Sequence, residues 1–412
     1  MKSNMRLFLV SLGFFILMFS GCLSNSSDDN TSSGNASQVD SDQSKSGDET
    51  GTGTNDDDYA YDPGWYKGDL HAHSLYSDGD TPVPDVIAIA ENKGFDFFAL
   101  TDHRTNDQWG DAGYHSNKVT LLYGVEWTTS TGHANIWSNK PFNWDAIAPT
   151  MENGGDAKMA IEITHSLANS DQEMLFSINH PRADFCCPWE HSFEDSREAD
   201  CMEVWNARYL IPNLNFLALT DTYASYLQQG KKITMVGGSD SHTHQPSDLQ
   251  TLYNDIGHPT TWVYADSKSG LDILAGIRRG HAFISTSPEG PMVDFRASTS
   301  YDPQKPAVVQ YDLMMGDSIP GSALGKDVYF MVRVFDTTVP SGIHVIKNGM
   351  AIAEWATISF SSDYCWDFID KPQEGDYYRI EIRQIFPDDP TNPIGDLLNG
   401  PMSALTNPIY AW

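Results

Sequence analysis

The sequence predicts an α/β barrel followed by a small β-sandwich, and three observations carry that reading. From Tyr66 to about Ser287 short apolar runs alternate with stretches of helical spacing. After Pro291 the pattern changes to period-two segments separated by turn residues. Histidines and carboxylates close several apolar runs of the first part, as expected where the carboxyl ends of barrel strands assemble a site.

The strands of the first part are expected at 68–71, 95–100, 120–126, 174–178, 201–205, 233–237 and 261–264. Helix candidates lie between them. The segment 81–92 opens on Thr81, has prolines in its first turn and stops before Gly94. Segments 157–168, 214–228 and 271–279 carry helical spacing, the last two ending before Gly230 and Gly280. Strand and helix in alternation predict a parallel sheet, here closed as a barrel over 61–290. In 291–412 the segments 329–335, 344–346 and 377–382 alternate apolar with polar residues. Lys347-Asn348-Gly349 and Glu374-Gly375-Asp376 supply the turns, which predicts a β-sandwich of about 110 to 120 residues.

Residues 1–22 read as an export signal. Lys2 and Arg6 precede an apolar run, 7–19, shorter than the roughly 20 residues a spanning helix needs. Ser20-Gly21-Cys22 then resembles a lipoprotein processing box, with Phe19 where leucine is usual. Lipidation of Cys22 would anchor the mature domain to the membrane; an uncleaved anchor and simple secretion are the alternatives. All three place it outside the cytoplasm. Residues 23–60 are rich in Ser, Asn, Asp, Gly and Thr without apolar periodicity and are expected to form a flexible tether. Of the other cysteines, Cys201 is expected to pair with Cys186 or Cys187 in an oxidising compartment. The spacing of Cys186, Cys187, Cys201 and Cys365 is unlike a zinc ribbon, so they read as structural or free. A net charge of -31 argues against a nucleic-acid polymer as partner, which would call for clustered Lys and Arg.

The chemistry-bearing residues come in short pieces. Asp69-Leu70-His71-Ala72-His73 sets two imidazoles at i and i+2, on one face of an extended chain. Asp78 follows in a Ser-Asp-Gly loop. Thr101-Asp102-His103, Gly124-Val125-Glu126, Gly132-His133 and Asn179-His180-Pro181 come next. Gly238-Ser239-Asp240-Ser241-His242 repeats the i, i+2 spacing with a carboxylate and an imidazole. Taken singly, each has a bland reading as a packed or surface polar group. Together they offer imidazole and carboxylate, the ligand types that hydrolytic metals accept. Burying so many polar groups without ions would be costly.

In this order the pieces resemble the PHP (polymerase and histidinol phosphatase) superfamily, and within it the carbaryl-hydrolase-like CehA/McbA group. The segments 259–264, 279–285 and 406–410 are similar to that group as well. The resemblance implies a distorted (β/α)7 barrel holding two or three divalent ions, with zinc, manganese and iron as the candidates. It implies that His71, His73, Glu126 and Asp240 hold one ion. Glu126 bridges to a second, completed by His133 and His180, while Asp78, His103 and His242 hold a third. Asp102 is expected to orient its neighbours rather than to ligate, and His244 is outside the expected ligand set, a stand-in at most. Arg104 departs from the group, whose members often have Asn there.

The expected reaction is hydrolysis by a metal-bridged hydroxide, with Glu126, Asp240 and His242 at the chemistry. Arg182, then Arg104, are the expected contacts to the substrate's anion. A small-molecule phosphomonoester or phosphodiester is the first substrate class, because phosphate suits a multi-metal clamp and dominates the superfamily. Carboxylic-ester or carbamate hydrolysis is the alternative within the class. A surface binding module with a non-catalytic barrel is the alternative from another class.

Overall fold

The computed structural model describes residues 63–184, 186–207, 215, 217–244, 255–300, 311–337, 339–357, 363–384 and 402–412. The export segment, Cys22 and the tether lie outside the described residues. Among the described residues no helix is long and apolar enough to cross a membrane.

The strands of the first part are β1 (Gly64–Asp69), β2 (Phe97–Leu100), β3 (Thr120–Thr129), β4 (Gly132–Ser138), β5 (Met174–Ile178), β6 (Cys201–Asn206), β7 (Thr234–Gly238), β8 (Thr260–Ala265) and β9 (Ala282–Ser285). Those of the second part are β10 (Met292–Ser298), β11 (Leu313–Met314), β12 (Val328–Phe335), β13 (Ser341–Lys347), β14 (Met350–Thr357), β15 (Tyr364–Asp370), β16 (Tyr377–Gln384), β17 (Met402–Thr406) and β18 (Ile409–Tyr410). The helices are α1 (Val83–Asn92), α2 (Trp144–Ile147), α3 (Ala157–Leu167), α4 (Phe193–Ser196), α5 (Ala224–Gln228) and α6 (Gly270–Arg279).

The α/β character holds, but the hydrogen bonds do not draw the expected barrel. One sheet runs β14-β13-β16-β17-β9-β8-β1-β2-β3-β4-β5-β6-β7. Its pairs β1–β2, β2–β3, β5–β6 and β6–β7 are parallel, whereas β3–β4, β4–β5 and β1–β8 are antiparallel. Among the described residues no ladder closes β7 onto β1. Beyond their ends the two are tied by a bridge between Ala72 and Ser241, where His73 N donates to Ser241 O and Asp240 N to His71 O, both at 2.9 Å. The antiparallel pairs of β4 arise at Ser130-Thr131, a two-residue turn that folds β4 back on β3. Gly132-His133 reads in sequence only as a ligand motif, so this strand goes unseen there.

The second part is not a separate sandwich. One of its layers, β14-β13-β16-β17, continues the sheet of the first part through the β17–β9 pair, and the other is β11-β10-β12-β15. The core between them packs Phe295, Phe330 and Tyr378 with Trp262 and Phe283 of β8 and β9. Apolar packing therefore runs across the 290/291 boundary.

Local signals place the helices. In α1 the buried residues Val83, Val86, Ile87 and Ala90 lie on one helical face and pack on Phe98, Leu100 and Val119. Full burial of such an apolar side chain contributes about 1.5–3 kcal/mol. Thr81 is not its cap: Pro82 occupies that position, and the Thr81 hydroxyl donates to Asp80. Ser269 does cap α6, accepting from Asp272 N, and Gly280 ends it in the left-handed region. The segment expected as a helix at 214–228 enters α5 through a π-helical stretch, Ala218–Tyr223.

Candidate metal centre

The site is assembled where the strands of the first part end. His71 and His73 follow β1 and are fully buried. The Asp69 carboxylate fixes the segment by accepting from His71 N (3.2 Å), Ser239 N (3.0 Å) and Gly257 N (2.7 Å). His103 follows β2, Glu126 lies in β3, His133 in β4, His180 just after β5, and Asp240 and His242 just after β7. Asp102 does not reach the cluster's centre. It accepts from Ser74 N, Ser74 Oγ and Ser77 Oγ, each at 2.8 Å, and so shapes the loop that carries Asp78.

Glu126 is the hub. Its Oε2 lies 3.4 Å from His71 Nε2, 3.5 Å from His73 Nε2 and 2.7 Å from His103 Nδ1. Its Oε1 lies 3.2 Å from His133 Nδ1 and 3.5 Å from His180 Nε2, and accepts from Asn179 Nδ2 at 3.0 Å. Asp240 Oδ1 is 3.2 Å from the Nε2 of both His71 and His73. Asp78 Oδ1 faces His242 Nε2 at 3.3 Å, His103 Nε2 at 3.6 Å and His73 Nδ1 at 4.0 Å.

Three non-glycine residues at these strand ends hold positive φ: Arg104 (60°), His180 (27°) and Asp240 (52°). Such conformations cost about 1–3 kcal/mol each and persist where packing over-determines them, commonly at functional sites. Gly238 is required by close approach. A Cβ there would meet Glu203 Oε1 and His71 Cβ, each at 2.5 Å.

The carboxylates dominate the electrostatics of the cluster. Burial alone would raise Glu126, but His103 and His71 hold its carboxyl well below the ordinary range. Asp240 follows the same logic, with His71 and His73 outweighing burial. Burial would lower His71, yet Asp240, Glu203 and Glu126 raise it well above the ordinary range. His242 is pushed up to about 9, its burial outweighed by Asp78 and Asp240. His73 goes the other way, to about 3, because burial and the neighbouring His242 and His103 outweigh its bond to Asp240. The anions thus draw positive charge onto His71 and His242 but not onto His73. His71 Nε2, His73 Nδ1 and His180 Nδ1 are buried without a hydrogen-bond partner. Orphaned ligand atoms around a carboxylate hub fit divalent cations, which would repay the burial.

Four groups of side chains are close enough to hold an ion: His73, Asp78, His103 and His242; His71, His73 and Asp240; His103, Glu126 and His133; and His133, His180 and Cys187. All nine residues expected as ligands fall in at least one group. His103 stands between Glu126 and Asp78 rather than with Asp78 alone. Arg182 has its guanidinium engaged by Asp184 and Asp221, and Arg104 Nη1 donates to Thr128 O at 3.3 Å. Both ring nitrogens of His244 are in hydrogen bonds, to Ser241 Oγ and His73 O.

Sequence reasoning missed three contributors. Glu203, buried in β6, accepts from His71 Nδ1 at 3.0 Å and from His180 N at 2.9 Å. A carboxylate inside the otherwise apolar run Cys201–Trp205 was the available signal. Asn179 bonds Glu126 and accepts from Asn135 N. Cys187, read as structural or free, lies beside His133 and His180. The expected disulfide is corrected: Cys186 pairs with Cys187, and Cys201 is a buried free thiol at the start of β6. Cys201 opens β6, buried through Trp205, while the other two lie on the loop after β5.

Three solved structures show likeness. A two-domain protein from Bacteroides vulgatus ATCC 8482, containing a predicted PHP-like metal-dependent phosphoesterase, matches with a TM-score of 0.39 and 14% identity, over 78% of this chain and 91% of that one. A protein from Bifidobacterium adolescentis ATCC 15703, proposed to be a metal-dependent phosphoesterase, matches with a TM-score of 0.29 and 15% identity, over 46% and 90%. An amidohydrolase from Chromobacterium violaceum, with bound sulfate and no metal, matches with a TM-score of 0.31 and 16% identity, over 46% and 89%. No curated protein matches the chain. Residues 69–209, the stretch from the Asp69-to-His73 segment past His180 and Glu203, match the family model described as the PHP domain.

Proposed function

We propose that this chain is an exported metal-dependent phosphoesterase of the carbaryl-hydrolase-like CehA/McbA group within the PHP superfamily. The observation that carries the reading is the placement of Glu126: one buried oxygen faces His71, His73 and His103, the other His133 and His180. A carboxylate so placed would suit sharing between two cations. His71, His73, Glu126 and Asp240 would hold one ion, Glu126, His133 and His180 a second, and Asp78, His103 and His242 a third. Zinc, manganese or iron bound there would acidify water and polarise a phosphoryl or carbonyl oxygen.

The chain's own residues prepare the ligand atoms. Glu203 holds His71 through Nδ1, which leaves Nε2 for an ion. The Asp240 carbonyl accepts from His242 Nδ1 at 2.8 Å and turns Nε2 toward Asp78. Arg182 would contact a substrate anion only by giving up Asp184 or Asp221; Arg104 has a single backbone bond to give up. The acidic composition supports a small-molecule substrate over a polyanion. The N-terminal segment supports export, with lipidated Cys22 as the membrane anchor.

The test is hydrolysis of phosphomonoesters, phosphodiesters, aryl esters and aryl carbamates with Mn²⁺, Zn²⁺ or Fe²⁺ supplied. Metal-dependent turnover of a phosphoester is expected. Turnover of carboxylic esters or carbamates alone would replace the phosphoesterase reading, and no turnover with full metal occupancy would favour a binding module. Cys22→Ala is expected to abolish membrane fractionation of the exported chain; unchanged fractionation and mature mass would remove the anchor.

A further inference from the structure

We propose that Cys187 is a sulfur ligand of the ion held by His133 and His180, available only when the Cys186–Cys187 disulfide is open. The inference rests on the metal-centre reading above and adds to it a ligand and a redox condition. Cys187, His133 and His180 each present a ligand atom, all within 4.8 Å of one another. Ligand atoms on one zinc-like ion, with sulfur at about 2.3 Å and nitrogen at about 2.1 Å, are at most about 4.4 Å apart. The three therefore need little movement to share an ion. His180 is nine-tenths buried, and its Nδ1 has no hydrogen-bond partner.

The loop that carries Cys187 is built to stay there. After His180 the chain turns, with Ala183 N donating to His180 O, and Cys186 N and Cys187 N both donating to Ala183 O. It then returns to the hairpin that carries His133: Glu190 N donates to Thr131 O at 2.8 Å. Trp189 packs against Gly132, where a Cβ would come within 2.7 Å of its ring. Cys187 is thus pinned between the two elements that supply His133 and His180.

In the disulfide both sulfurs are bonded to each other and neither is a thiolate. Opening it takes two electrons and two protons from a dithiol. One thiolate of the reductant attacks a cysteine sulfur, breaking the S–S bond and forming a mixed disulfide; its second thiolate attacks the first reductant sulfur and expels the cysteine, leaving the reductant a disulfide and, with the two protons, both cysteines thiols. Cys187 then gives its proton to solvent as it ligates. Cys186 is exposed, so a reductant has access. A thiolate softens this position toward zinc, iron or cobalt relative to manganese.

The experiment uses the full chain, reduced or not with a dithiol, freed of reductant without oxygen, and loaded with Co²⁺. Thiolate-to-cobalt charge transfer is read in the near ultraviolet, and cobalt content by elemental analysis. The band is expected in the reduced chain and in Cys186→Ser without any reductant. It is expected to be absent from the oxidised chain and from Cys187→Ser, and to persist in reduced Cys201→Ser. A missing band in both the reduced chain and Cys186→Ser, with two or more cobalt equivalents retained, overturns the ligand and leaves the metal centre standing. A full band in Cys187→Ser also overturns it. Failure of every form to retain cobalt overturns both readings.

Discussion

Two buried clusters of charge in this molecule are satisfied in opposite ways. In β16, Glu381 lies between Arg379 and Arg383, with Nη2 contacts of 2.5 and 2.8 Å, and all three side chains are buried. At the strand ends of the first part, Glu126 is just as deeply buried, yet five imidazoles and the Asn179 amide surround it. Guanidinium carries its charge at every accessible pH, so the counter-charge of Glu381 does not depend on protons or ions from solution. Imidazole charge is conditional, so the Glu126 cluster takes either protons or metal ions to balance its anions. Permanent partners make a structural pair; conditional partners make a binding site.

The sharpest way to break this contrast is Glu126→Gln. The change is nearly isosteric but removes the negative charge on which both sets of imidazoles converge. Metal content is expected to fall and turnover to drop by about a hundredfold or more, at or beyond the upper end of the 10–100-fold losses typical of partners behind a ligand. Elemental analysis and steady-state rates check it, with exposed Glu198→Gln as the control. Retained metal and near-normal turnover would mean that Glu126 is not shared by ions.

Glu203→Gln comes next. It keeps the shape but weakens the acceptor for His71 Nδ1, and is expected to lower metal affinity by about 10- to 100-fold. Competition with a chelator measures it. Gly238→Ala should do less to the ions and more to the fold: the added methyl must displace Glu203 or His71, at about 1–3 kcal/mol by overpacking. A thermal midpoint equal to that of the unaltered chain would show that the crevice between β7 and His71 has slack.

How much of this was legible beforehand depends on whether local chemistry or topology decided it. The ligand motifs were readable because each couples a rare residue type to the end of an apolar run, as at His71, His103 and His180. β4 was not, since Gly132-His133-Ala134-Asn135 carries little strand signature and the turn before it, Ser130-Thr131, lacks glycine. Missing that hairpin hid the antiparallel pairs of β4, and the antiparallel approach of β8 to β1 has no local signal either. Glu203 looked like an ordinary residue in a strand, because its importance comes from facing His71 across 132 residues of chain. The sharing of one sheet by both parts was invisible for the same reason: β9 and β17 are distant in sequence, and nothing in either names its partner.

The smallest effect on turnover is expected at Glu381, where the contrast predicts a purely structural role. Burial pushes its carboxyl up, but Arg379 and Arg383 more than reverse that and hold it below the ordinary value of 4.5. A carboxyl with a depressed folded value contributes stability that is fully present above the unfolded value and is lost as pH falls through the folded one. The advantage of the unaltered chain over Glu381→Gln should therefore be constant above about pH 5 and shrink on acidification. At neutral pH the variant removes the Glu381 charge from beside two buried guanidiniums, at about 3–5 kcal/mol. Chemical unfolding of both chains from pH 7 downward measures the difference. Metal content at pH 7 is expected to be unchanged, because the imidazole cluster draws nothing from β16. A variant that lost metal in proportion to stability would show that the two clusters share one cooperative unit, and the division between permanent and conditional partners would then not map onto separate roles.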